Sequence, residues 1–163
     1  MEKLLKVIRE SLAAIDNPRF YRTERGYQGA FTAELSRRMP SLNLDGAIVE
    51  DEYQKRIPRH GLKIRPDIII HIPFEKGQHK ARREGNFVAF ELKLNATKKK
   101  AMKDYEDLSS LCEVLDYPLG VFINIASNKA FLDEYEGAHK DRIHAFSVAL
   151  EDARVEVREE YVT

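Results

Sequence analysis

The stretch from Asn86 to Lys100 puts an acid and a base into a run that otherwise has the composition of a buried strand. Side chains alternate across a strand, so Glu91 and Lys93 share one face while Phe90, Leu92 and Leu94 share the other. Burying two charges costs free energy unless they are paired or hold a metal. A second irregularity lies upstream, where Pro66-Asp67 opens the apolar run Ile68-Ile69-Ile70 and sets a carboxylate at the mouth of another candidate strand. Within this chain both features are selective: no other lysine has an acid two residues before it, and no other proline is followed by aspartate.

The rest of the chain reads as an α/β pattern. Leu5, Ile8, Leu12 and Ile15 recur at steps of three and four and predict an amphipathic helix over about residues 2 to 15, ended by Asn17-Pro18. A second helix is expected from Tyr27 to Met39, closed by Pro40. Leu44 to Glu50 is the first candidate strand, and a basic stretch broken by Pro58 and Gly61 follows it. Arg65 to Ile72 is the second, and its unbroken apolar run suggests a sheet covered on both faces. The polar loop Pro73 to Gly85 is long enough to expect a functional role. Phe87 to Leu94 is the third strand, reached through a hairpin connection.

Ala101, Tyr105, Leu108, Cys112 and Leu115 then mark one face of a helix over about 97 to 116. Leu119 to Ile125 is another buried strand, and helix followed by strand is how a crossover connection reads. A short helix is expected over 128 to 138, and Ile143 to Leu150 with Arg154 to Val162 form a closing pair of strands. No repeat or low-complexity tract appears, and residues 1–163 are expected to form one domain.

Proline-aspartate on one strand followed by acid-any-lysine on the next resembles the signature of the PD-(D/E)xK nuclease superfamily, here Pro66, Asp67, Glu91 and Lys93. The resemblance implies the restriction-endonuclease-like αβββαβ core, a mixed central sheet flanked by helices. Periodicity alone gives only an α/β chain with a mixed sheet. The resemblance also implies a Mg²⁺-dependent nuclease that hydrolyses DNA phosphodiester bonds, with endonucleolytic cutting expected. Mn²⁺ would be able to substitute, water would be the nucleophile and the 3′ oxygen the leaving group. Asp67 and Glu91 would be the core metal ligands, joined by the carbonyl of Leu92. Hard divalent cations favour such oxygen donors. Lys93 would hold the attacking water or stabilise charge in the transition state.

Many members of the superfamily add a carboxylate from the first core helix. Glu34 is the expected candidate, with Glu24 as its substitute if that helix begins earlier and Glu50 as a weaker one. Some relatives carry a glutamine-x-x-x-tyrosine motif on the helix after the signature. Here Tyr105 has Ala101 four residues before it, so that motif is absent.

Formal net charge is zero, which argues against a chain coated in positive charge, but the basic residues are grouped. Lys55, Arg56, Arg59, Lys63 and Arg65 form one group, Lys76, Lys80, Arg82 and Arg83 a second, and Lys98, Lys99, Lys100 and Lys103 a third. The last group opposes the helix dipole, which disfavours cations in a first turn, and a bound polyanion would resolve the conflict. Arg82, Arg83, Lys98, Lys99, Lys100 and Lys103 are therefore the expected nucleic-acid contacts. DNA is the expected partner, with RNA also open, and a homodimer would supply two sites for cutting a duplex. The alternative is a catalytically silent nuclease-fold module that binds nucleic acid or a protein partner.

Other chemistry has thinner support. The lone Cys112 cannot form an internal disulfide and is expected to be a small core residue. The five histidines lack close metal-ligand spacing, and His71 is expected to be a hydrogen-bonded core residue. There is no phosphate-cradling Gly-x-x-x-x-Gly-Lys loop and no nucleophile elbow. No apolar run approaches the roughly 18 residues of a membrane span, and the charged start lacks the apolar segment of a secretory signal, so cytoplasm is the expected location.

Overall fold

A computed structural model describes residues 1–51, 62–75 and 84–162. Among the described residues, three α-helices and six strands follow one another as α1 (Glu2–Ala13), α2 (Glu24–Arg38), β1 (Ile48–Asp51), β2 (Ile68–His71), β3 (Asn86–Leu94), α3 (Lys98–Leu115), β4 (Leu119–Ile125), β5 (Ile143–Glu151) and β6 (Arg154–Glu160). The strands form one sheet in sequential order, β1-β2-β3-β4-β5-β6. β1, β2 and β3 pair antiparallel, β3, β4 and β5 pair parallel, and β6 returns antiparallel to β5. It is the mixed α/β sheet expected, and α3 is the crossover between the parallel strands β3 and β4.

The sheet is covered on both faces, and the pleat sorts its side chains between two cores. Ile68, Ile70, Val88, Phe90 and Leu92 face Leu4, Ile8 and Leu12 of α1 and Tyr27, Phe31 and Leu35 of α2. Ile69, Ala89 and Phe122 face Ala101, Tyr105, Leu108 and Leu111 of α3. Gly120 lets α3 come close, because a Cβ there would stand 3.2 Å from the Cβ of Leu108. Residues in β2 and β4 are therefore buried on both sides, which is why their sequence is apolar without alternation.

Two local differences from expectation have physical causes. Helix α2 starts at Glu24, three residues before the expected Tyr27, because Thr23 caps it: its Oγ1 accepts a hydrogen bond from Gly26 N at 3.0 Å. The short helix expected over 128 to 138 does not form. Glu160, from β6, instead accepts hydrogen bonds from Ala130 N at 2.8 Å and Leu132 N at 2.7 Å, taking the amides a helix would use. Phe131 between them has a left-handed backbone, φ 68°, which no α-helix accommodates.

Cys112 is buried, and burial pushes its thiol up to about 11, so it is an unreactive core residue. His71 is buried and its Nε2 lies 2.8 Å from Glu50 Oε2, which commits Glu50 to that contact. Among the described residues, no helix is long and apolar enough to cross a membrane.

Candidate active site

The antiparallel pairing of β2 and β3 joins the two halves of the sequence signature. Asp67 N donates to Phe90 O at 3.0 Å, continuing the ladder one residue beyond β2. Asp67 Oδ2 then accepts a hydrogen bond from Leu92 N at 2.7 Å. The aspartate side chain thus grips the backbone of the acid-any-lysine tripeptide. Gln28 of α2, itself buried, donates through Nε2 to Asp67 O at 3.0 Å and ties this corner to the helix. Arg25, Gln28, Gly29 and Asp51 line a recess of about 220 Å³ beside it.

Glu91 and Lys93 lie on the sheet face that carries Ala89 and meets α3, as strand alternation requires. Glu91 is only 5% exposed. Burial pushes its carboxyl well above the usual range, the nearby charge of Asp67 pushes it further, and Lys93 opposes both. Asp67 is raised for the same leading reason, with the Leu92 N–H and Lys93 working against burial. Two carboxylates held this close in a poorly solvated place are an acidic pair short of positive charge.

Lys93 Nζ donates to Leu92 O at 3.0 Å and lies 3.8 Å from Glu24 Oε1 and 3.9 Å from Asp104 Oδ2. Burial favours the neutral amine, but Asp104 first, then Asp67, Glu24 and Glu91, hold the ammonium above its ordinary pKa. Glu24 is fixed in turn, since its Oε2 accepts from Leu94 N at 3.0 Å.

Helix α2 therefore brings Glu24, rather than Glu34, to this corner. Glu34 lies ten residues further along the helix, about 15 Å on at the helical rise. There it pairs with Arg37 at 2.8 Å and with Arg38, and those two arginines hold its carboxyl below the usual range. The carboxylate expected from Glu34 is thus engaged elsewhere. Among the described residues, no group of three His, Cys, Asp or Glu side chains is gathered closely enough to hold a metal ion. Of the expected ligands, Asp67 is bonded to Leu92 N and its charge acts on Glu91, while the Leu92 carbonyl accepts from Lys93 Nζ.

Asp104 lies outside the sequence expectation, although the sequence carries a signal for it. It occupies the stripe of α3 defined by Ala101, Tyr105 and Leu108, three residues after Ala101 and four before Leu108, and is buried there at 5% exposure. An acid on an otherwise apolar helix face is as anomalous as an acid in an apolar strand. Burial raises its carboxyl to about 6.

Of the expected nucleic-acid contacts, Lys98, Lys99, Lys100 and Lys103 are exposed on the first turns of α3. Lys98 is ion-paired with Glu134. Thr97 gives the helix no side-chain cap and its first turn holds no acid, so the positive end of the dipole is uncompensated by the helix itself. Arg82 and Arg83, with Lys55, Arg56, Arg59, Lys76 and Lys80, lie outside the described residues.

The six-stranded mixed sheet with helices on both faces defines a restriction-endonuclease-like α/β fold. Among solved structures, NucC of E. coli MS115-1 in its cAAA-bound form matches 98% of this chain and 82% of its own, with TM-score 0.51 and 8% identity. NucC of P. aeruginosa ATCC27853, also cAAA-bound, matches 97% of this chain and 81% of its own, with TM-score 0.45 and 10% identity. At 8% identity and TM-score 0.51, the likeness to the E. coli protein is one of fold. No family model matches the chain, and no curated protein matches it in sequence.

Proposed function

We propose that this chain is a Mg²⁺-dependent nuclease that hydrolyses DNA phosphodiester bonds, acting as an endonuclease. One observation carries the reading: Asp67 Oδ2 is bonded to Leu92 N, at the centre of the Glu91-Leu92-Lys93 tripeptide. Two sequence anomalies far apart along the chain thereby meet at a single corner of the sheet.

The donor set suits a hard divalent cation. Asp67, Glu91 and the Leu92 carbonyl offer oxygen only, and the buried, charge-deficient acid pair gains most from a cation. When bound there, Mg²⁺ would neutralise charge at the phosphate and acidify water, with Mn²⁺ able to serve instead. The protein's own groups do the rest. Lys93, kept as an ammonium by surrounding carboxylates, stabilises negative charge developing on the phosphate oxygens. Glu24 takes the helix position expected for Glu34 and orients Lys93. Lys99, Lys100 and Lys103, with Lys98, attract the polyanionic backbone to the mouth of the site. A second copy of the chain would supply the second cut of a duplex.

The absence of a three-acid cluster among the described residues favours a second reading, a silent nuclease-fold module that binds nucleic acid or a protein partner. Plasmid nicking separates the two. Wild-type protein with Mg²⁺ or Mn²⁺ is expected to nick supercoiled DNA, and Lys93→Ala to lose at least about 100-fold in rate, the scale of one preorganised electrostatic contact, while DNA binding survives. DNA binding without cutting under either metal identifies the binding module instead.

A further inference from the structure

Among the described residues, Asp104 is the one buried acid at this corner that the nuclease signature does not use. Its Oδ2 is inaccessible to solvent and has no hydrogen-bond partner among the described residues. A buried carboxylate oxygen left without a partner is costly, and the neighbouring positions of α3 that face the sheet, Ala101, Tyr105 and Leu108, show that an apolar residue fits this layer. A cation stands beside that oxygen: Lys93 Nζ is 3.9 Å away.

Lys93 needs such a neighbour. Its four-carbon stem is flexible, and an ammonium useful at a phosphate must be held at one end of that stem. The Leu92 carbonyl and Glu24 hold it from β3 and α2. Neither of those two elements restrains it from the α3 side. The geometry points to Asp104 as a positioning residue for Lys93: its free carboxylate oxygen completes a three-sided cradle of Leu92 O, Glu24 and Asp104 that fixes the ammonium at the reaction centre. The catalytic meaning of that cradle rests on the nuclease reading, whereas the cradle itself is a structural claim that stands or falls separately.

The test pairs a chemical probe of Lys93 with kinetics. Protein in EDTA is treated with an amine-acetylating reagent, and modification of Lys93 is followed by peptide mass spectrometry in wild type, Asp104→Asn and Glu106→Gln. Glu106 is an exposed control on the same helix. Asp104→Asn keeps the shape and removes the charge, and circular dichroism verifies folding. Modification of Lys93 is expected to accelerate several-fold in Asp104→Asn and to stay at the wild-type rate in Glu106→Gln. In nicking assays, Asp104→Asn is expected to lower kcat about tenfold or more with KM little changed. The same substitution should have no further effect in a Lys93→Ala background, because the two residues act as one unit.

Unchanged Lys93 modification in Asp104→Asn overturns the proposal, as do losses from the two substitutions that simply multiply in the double variant. If wild type cuts nothing under Mg²⁺ or Mn²⁺ but modification still accelerates, the cradle is upheld and the nuclease reading fails. If wild type cuts and modification does not change, the nuclease reading survives and the cradle fails.

Discussion

At the residue scale, the site is governed by Glu91, whose carboxylate is buried beside Asp67 and balanced by Lys93. A neutral amide of the same shape removes the cost of that arrangement and also its use. Glu91→Gln is therefore expected to raise the melting temperature of metal-free protein at about pH 7.5 by roughly 3–8 °C, corresponding to about 1–3 kcal/mol. Wild type should gain stability as Mg²⁺ is added, since a ligand that binds only the folded state stabilises it by mass action, and Glu91→Gln should not. Differential scanning fluorimetry across a Mg²⁺ titration measures both. A wild-type melting temperature indifferent to Mg²⁺ would remove Asp67 and Glu91 as cation ligands.

At the element scale, α3 has two jobs on opposite sides. Its apolar stripe seals the second core against Ile69, Ala89 and Phe122, and its first turns present Lys99, Lys100 and Lys103 to solvent. Those lysines lie away from the core, so replacing all three with alanine should leave the fold intact. It should weaken DNA binding and reduce the steepness of log K against log salt by about 2–3, near one for each phosphate that a lysine no longer neutralises. Fluorescence anisotropy at a series of salt concentrations reads the slope. Helix α2 shows the complementary arrangement: its capped start delivers Glu24 and Gln28 to the site while Phe31 and Leu35 are buried in the first core.

At the scale of the whole molecule, the carboxyl groups moved from their ordinary range fall on two sides, with opposite effects on stability. Glu34 is held low by Arg38 and Arg37, and Glu159, against its burial, by Arg9 and His144. They contribute stability above the unfolded carboxylate range that is lost as pH falls through their folded values. Asp104, Asp67 and Glu91 are held high, chiefly by burial, so between their unfolded and folded values the folded state binds more protons than the unfolded chain. Stability from this set falls as pH rises. For Asp104 the window runs from 3.8 to about 6. Discounted for partial solvent screening, the change is on the order of 2 kcal/mol. Urea unfolding in EDTA should therefore give a lower free energy at about pH 7.5 than at about pH 5, and Asp104→Asn should flatten that slope.

Local pattern was enough to place the elements that carry chemistry. Periodicity located α1, α3 and β2 to β5 within a few residues, and the charges misplaced in an apolar run singled out Glu91 and Lys93. Packing settled which acids surround them. Glu24 and Glu34 are on the same helix; Glu34 pairs with Arg37 and Arg38 of its own helix at i+3 and i+4, whereas only the docking of α2 against β3 brings Glu24 to Lys93. Glu160 likewise abolishes a local helix from 30 residues away. A segment's own residues encode its period and facing, but contacts between distant segments are set by how complete elements pack, and those contacts select the partners of each charge.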